Sequence, residues 1–149
     1  MKISSTAFKH NKMIPKEYTC EGEGLNPPLT ISEPPPEGTK SLALIVHDHD
    51  GPEGDFVHWV VWNIDPKIKE MKEGLMPVDA QEGKNDAGES GWVPPCPPSG
   101  RHRYEFSLYA LNAIIDLPTS SDKHDLRKEM IGRILEETSI VGFYEKMPV

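Results

Sequence analysis

Two polar clusters hold the residue types from which a binding or catalytic site can be built. One is His47-Asp48-His49-Asp50-Gly51-Pro52, followed by His58. The other, Cys96-Pro97-Pro98-Ser99-Gly100-Arg101-His102-Arg103-Tyr104, runs from a proline-stiffened loop into His, Arg and Tyr. Imidazole and phenol groups donate hydrogen bonds to oxyanions, and carboxylates orient imidazoles or take up ammonium groups. A stiff loop loses little entropy when a ligand docks, so this combination suits a preformed pocket.

Three sharper chemistries compete with simple binding. His47, His49, Asp50 and His58 resemble the ligand strings of zinc hydrolases, which need three or four converging N or O ligands. Alternation along an extended chain separates His47 from Asp48, and no tightly spaced further ligand completes a site, so no metal is expected. Cys96 lies six residues before His102 but shows no helix N-terminus that would activate a thiolate, and it reads as pocket wall. Asp48 and Asp50 could share a proton as an acid/base pair, although carboxylates at a strand end more often pin a loop. No nucleophile elbow and no phosphate-cradling glycine loop occurs.

Three apolar runs must carry these groups. Residues 41–46 and 57–64 are apolar on both faces and read as central strands, while 104–111 alternates more clearly. By parity, Asp48 and Asp50 face the same side as Leu42, Leu44 and Val46, and His47 and His49 face the other side with Ala43 and Ile45. His58 falls with Val60, Trp62 and Ile64, and His102 and Tyr104 fall with Phe106 and Leu108. Trp59 and Trp62 take opposite faces. Arg103 turns away from the pocket face, towards a structural ion pair.

If the polar strand ends lie together, Asp48, Asp50, His58, His102 and Tyr104 ring a depression over an apolar floor. Gly51-Pro52 is a turn and a candidate cis bond. Residues 34–38 form a sharp loop, and 65–92 reads as excursion and loop. A helix is predicted over about 122–137, capped by Ser121 or Asp122, with Leu126, Met130, Ile134 and Leu135 at helical spacing. Its charged residues 122–125 read as a solvated face, and 140–144 as a final edge strand.

Bulk properties narrow the class. The 149 residues suffice for one domain, 1–149, with its own core. Hydrophobic residues at 36%, with 15 prolines and 12 glycines, describe a loop-rich, mainly β chain. A net charge of −8 opposes nucleic-acid and anionic-membrane binding. No apolar run reaches membrane-spanning length and no signal-peptide core opens the chain, so stable membrane insertion is not expected. Two cysteines make no disulfide framework. A reduced cytoplasmic setting is the expectation, with a Cys20–Cys96 bridge as the less favoured alternative.

At these residues the chain resembles the phosphatidylethanolamine-binding protein family, specifically its short prokaryotic, Raf-kinase-inhibitor-like branch. The likeness starts at Tyr18-Thr19-Cys20-Glu21-Gly22 and Asn26-Pro27-Pro28-Leu29. The family's Asp-Pro-Asp-x-Pro signature appears as Asp48-His49-Asp50-Gly51-Pro52, with a downstream pocket histidine at His58. The second signature appears as Pro97-Pro98 leading to His102-Arg103-Tyr104, preceded by Asn85-Asp86.

The resemblance implies a central antiparallel sheet flanked by a smaller sheet and a helix. It implies non-enzymatic binding of phosphate, phosphoryl-ethanolamine-like head groups and other small anions. The pocket residues would be Asp48, Asp50, Pro52, His58, Cys96, Pro97, His102 and Tyr104, with Asp48 satisfied by a histidine or a backbone N–H. It further implies a homodimer, and a phosphoprotein or kinase as partner. No cofactor is expected, and a hydrolase or lyase using the Asp/His pocket is the alternative. Three departures stand out: His49 replaces the signature proline, Pro94 stands where relatives often have glycine, and the chain ends at Val149 without the gating C-terminal extension of longer members.

Overall fold

The two runs that are apolar on both faces become neighbouring strands at the centre of a six-stranded sheet. In the computed structural model, which describes residues 1–146, the strands are β1 (Lys2–Ser4), β2 (Lys12–Met13), β3 (Leu29–Ser32), β4 (Ser41–Gly51), β5 (Gly54–Ile64), β6 (Glu70–Met71), β7 (Gln81–Glu82), β8 (His102–Leu111) and β9 (Ile134–Tyr144). A 3-10 turn covers Lys16–Tyr18, and helix α1 covers Lys123–Met130. Val149, on which the reading of a missing extension rests, lies outside the described residues.

The large sheet has the order β2-β9-β8-β4-β5-β7 and the small one β1-β3-β6. The sequence-based fold class is borne out: mainly β, two sheets, one helix among the described residues. The large sheet is antiparallel except at its edge, where β2 pairs in parallel with β9.

Each face of the large sheet has its own core. One face packs Leu42, Leu44, Val46, Trp59, Val61, Tyr104, Phe106 and Leu108 against Ile3, Leu29, Ile31 and Met71 of the small sheet. The other packs Ala43, Ile45, Val57, Val60 and Trp62 against Leu126 and Met130 of α1. Fully burying side chains of this size contributes about 1.5–3 kcal/mol each. Burial on both sides therefore fixes β4 and β5 as the rigid frame of the molecule.

Two expectations fail here. The helix ends at Met130 rather than 137. Gly132 adopts a left-handed φ of 76° just beyond it, a conformation suited to terminating a helix and costly for other residues. Residues 134–144 then pair with β8 along its whole length, from Leu111↔Ile134 to His102↔Tyr144. Ile134 and Leu135, read as helix core, are exposed. The acidic run Glu136-Glu137 has helical propensity, but ten cross-strand pairs outweigh it.

The second failure is parity along β5. Val46 pairs with Trp59 and His47 with Val57, which leaves His58 as an extra residue. A second irregularity lies between Leu42↔Ile64 and Leu44↔Val61, where Asn63 has a φ of 55°. These bulges put Val60 and Trp62 on the helix side and Ile64 on the small-sheet side. His58 therefore does not share a face with Val60 and Trp62. Trp59 and Trp62 do take opposite faces.

Candidate functional site

The hairpin β4–β5, the start of β8 and the 93–98 loop meet at one end of the large sheet. They enclose an open depression of about 690 Å³. Of the residues expected there, Asp48, Pro52, His58, Cys96, Pro97, His102 and Tyr104 line it. The hairpin closes through the pair Gly51↔Gly54. A side chain at Gly51 would meet the Gly54 carbonyl at 2.5 Å, so only glycine allows this closure. The Gly51–Pro52 bond is trans.

Asp48 is the organising group. It is buried at 5% exposure, its Oδ1 accepts from the Asp50 backbone N–H at 2.7 Å, and its Oδ2 lies 2.6 Å from His102 Nδ1. Both expected donors, a histidine and a backbone N–H, are thus present. Register sets the arrangement, since Asp48 pairs with Tyr104 across β4 and β8. With Nδ1–H directed at the carboxylate, His102 keeps Nε2 free.

His58 is tied from the other side. Its Nδ1 donates to the Val93 carbonyl at 2.7 Å, and the Val93 N–H returns to the His58 carbonyl at 3.0 Å. The bulge aims this ring at the depression, in an edge contact 5.4 Å from the Tyr104 ring. Burial pushes the His58 pKa below its ordinary 6.5, opposed by the Val93 carbonyl, Asp48 and Asp86. Its free Nε2 therefore carries a lone pair at neutral pH.

Tyr104 sits between the two histidines, edge-on to His58 and stacked on His102. Its hydroxyl is buried and has no hydrogen-bond partner among the described residues. Burial, with Asp48 and Asp50 adding their charge, pushes its pKa far above the ordinary value. It stays a protonated donor.

Asp50 is not brought in. Its carboxylate accepts from the Arg103 backbone N–H at 2.8 Å and from the Arg103 guanidinium at 3.0 Å on both oxygens. Arg103 is the first cause holding the Asp50 carboxyl below its ordinary range. Parity failed for Asp50 because the β4–β5 register shifts between Asp48↔Phe56 and Gly51↔Gly54. The expected structural ion pair of Arg103 is present, with Asp50 as its partner.

The cysteine reading also needs correction. Cys96 is bonded to Cys20, with Cα atoms 5.3 Å apart. The Cys20 N–H donates to the Pro95 carbonyl at 3.0 Å, so backbone pairing between two loops brings the sulfurs together. No sequence spacing shows that contact. The bridge removes Cys96 as a nucleophile and removes the cysteine argument for a reducing compartment.

Asp86, Phe56 and Lys123 also line the depression. Asp86 accepts from the Val57 N–H at 2.8 Å and from Lys123 Nζ at 2.6 Å. Sequence reading put Lys123 on a solvated helix face. The capping box of Asp122 and Asp125 fixes the start of α1, and packing of α1 on β5 turns Lys123 inward. The cap was legible, but its packing partner was not. Pro94, the departure from the family pattern, is a wall residue and packs on Gly24.

Fold and site together define a two-sheet β domain with a His/Tyr-lined depression at one end of its central sheet. The family model for phosphatidylethanolamine-binding protein matches residues 4–145. A UPF0098 protein of Chlamydia trachomatis is 41% identical, covering 98% of this chain and 99% of that one. One of Methanothermobacter thermautotrophicus is also 41% identical, with the same coverage. Among solved structures, a phosphatidylethanolamine-binding protein homolog of Chlamydia trachomatis superposes with a TM-score of 0.93 at 40% identity, covering 98% and 97% of the two chains. Escherichia coli YbcL, described as a new member of the mammalian family, gives 0.90 at 29% identity, covering 98% of each chain. The chain belongs to the phosphatidylethanolamine-binding protein family. Among its described residues no helix is long and apolar enough to cross a membrane.

Proposed function

We propose that the depression binds a small phosphorylated ligand that also carries a cationic group, such as a phosphoryl-ethanolamine head group, without transforming it. The observation that carries this reading is the buried, unpartnered Tyr104 hydroxyl held between two histidines. The far nitrogens of those rings are tied to Val93 and Asp48. Three polar atoms are thus left for a ligand on a fixed frame. A bare anion fits less well, because Asp48, Glu53 and Asp86 stand against the single lysine, Lys123. Glu53 has no charged partner among the described residues, and it can take the ammonium end.

Titrating phosphoryl-ethanolamine at millimolar concentration should shift the ring resonances of His58 and His102 together and saturably. Inorganic phosphate should do so more weakly, and His58→Ala should abolish the response. Absence of any shift would sink the proposal.

Binding should also strengthen in acid. His58 Nε2 becomes a donor only on protonation, and its folded pKa lies below 6.5. Asp48 and His102 face it from the β4 and β8 ends, Tyr104 from β8, Lys123 from the start of α1 and Asp86 from beside it. A bound anion stabilises the imidazolium, so affinity should rise as pH falls through and below the ordinary histidine value. Sulfate is the cleaner probe, because its own charge is constant over this range. An affinity independent of pH would exclude His58 as a donor.

Tyr104→Phe separates binding from stability. Losing a hydroxyl that bonds no protein group should leave the free protein's stability unchanged or raised by up to about 1 kcal/mol. Ligand affinity should fall about tenfold, the equivalent of one hydrogen bond to a charged group. Equal affinity in both proteins would remove Tyr104 from the binding set.

A further inference from the structure

On the opposite face of the large sheet, beside α1, a second cluster forms from residues that the depression does not use. His47 and Glu105 are register partners across β4 and β8, and His49 projects to the same face two residues along. His49 Nε2 lies 2.8 Å from Glu105 Oε1, and His47 Nε2 lies 3.2 Å from the same oxygen. One ligand atom from each residue lies within 4.8 Å of the others. Around a tetrahedral zinc-type ion with bonds of about 2.0–2.2 Å, neighbouring ligand atoms are about 3.3 Å apart. The His47–Glu105 edge of 3.2 Å matches that spacing and the His49–Glu105 edge of 2.8 Å is shorter, and the His49 side chain, 37% exposed, has room to adjust.

We propose that His47 Nε2, His49 Nε2 and Glu105 Oε1 form a three-ligand site for a zinc-type divalent cation, with the fourth position open to solvent. Two imidazoles and one carboxylate form a ligand set suited to zinc and the later first-row metals.

The surrounding groups are arranged as metal ligands require. Asp55 Oδ1 lies 2.8 Å from His47 Nδ1, which orients the ring and leaves Nε2 for the ion. Arg127 backs Asp55 at 3.3 Å, and Ser139 Oγ donates to the outer Glu105 oxygen at 3.0 Å. A surface ion-pair network alone does not require two imidazole nitrogens aimed at one carboxylate oxygen. Cation entry displaces the ring proton facing Glu105, which leaves to solvent. His49 stands where the family signature has proline, so the cluster is not part of that signature.

Calorimetric titration of Zn²⁺ into the chelator-stripped full chain should give one site per chain, and Co²⁺ should give a visible tetrahedral absorption. Ring resonances of His47 and His49 should move, whereas those of His58 and His102 should not. His49→Ala and Glu105→Gln should each weaken binding more than tenfold, and Asp55→Asn about tenfold. The exposed His124→Ala should bind as the parent does. His49 is exposed enough that its variant should melt as the parent does, so its loss of binding cannot be unfolding. Absence of saturable Zn²⁺ binding up to millimolar, or undiminished binding in both His49→Ala and Glu105→Gln, overturns the proposal.

Discussion

Asp48→Ala is expected to cost about 2–3 kcal/mol of folding stability and to abolish ordered ligand binding. The side chains of Asp48 and the facing His102 are 7% and 8% exposed, and their atoms lie 2.6 Å apart. Breaking a buried ion pair typically costs 3–5 kcal/mol when the remaining partner must stay charged. An orphaned imidazole can remain neutral, which lowers the figure to one charge-assisted bond plus one unsatisfied N–H. The Asp50 N–H loses its acceptor as well. A chemical-denaturation midpoint unchanged in Asp48→Ala would show that the pair adds nothing to stability.

Asp48→Asn makes a sharper comparison. Its single oxygen can keep the Asp50 N–H, while its amide N–H faces His102 Nδ1. The imidazole must then accept there and carry its proton on Nε2. That nitrogen becomes a donor towards the depression without protonation, and one negative charge is gone. Stability should fall by about 1 kcal/mol, while sulfate affinity at neutral pH should rise severalfold. Weaker sulfate binding in Asp48→Asn would mean that the carboxylate, rather than the His102 tautomer, controls the site.

How much of this was legible in the sequence depended on how regular the backbone is. β4 and β8 are unbroken between Leu42 and Asp48, and alternation placed Asp48, His102, Tyr104, His47 and His49 on their observed faces. β5 is broken twice, and there parity failed. Strict alternation back from Trp62 would put His58 under α1, so the residue expected in the depression arrives there by a bulge that no residue pattern announces. Cross-strand partners were equally invisible. Glu105, facing His47 and His49, comes from a strand more than fifty residues away, so no ligand spacing was there to read. Ile134 and Leu135 kept a helical period but lay beyond Gly132, and pairing with β8 took them instead.

The largest stability change should come from the pair of loops joined by Cys20 and Cys96. Their separation is 76 residues. Closing a loop of that size in the unfolded chain corresponds to about 4.5 kcal/mol on the entropic account. Measured disulfides fall between about 2 and 5 kcal/mol. The double variant Cys20→Ser/Cys96→Ser should therefore unfold at a clearly lower urea concentration, and the parent treated with reductant should match it. Coincident midpoints for the oxidised parent and the double variant would contradict the assignment, as would two titratable thiols in the untreated folded protein. The effect should reach the ligand site, because the bridge and the Cys20–Pro95 backbone bond anchor the loop whose Val93 carbonyl holds His58. The prolines limit the loop's local freedom, but they cannot fix its position against the sheet. Releasing the bridge should weaken phosphoryl-ethanolamine binding even where the domain remains folded, and the His58 ring resonance should broaden before the core melts.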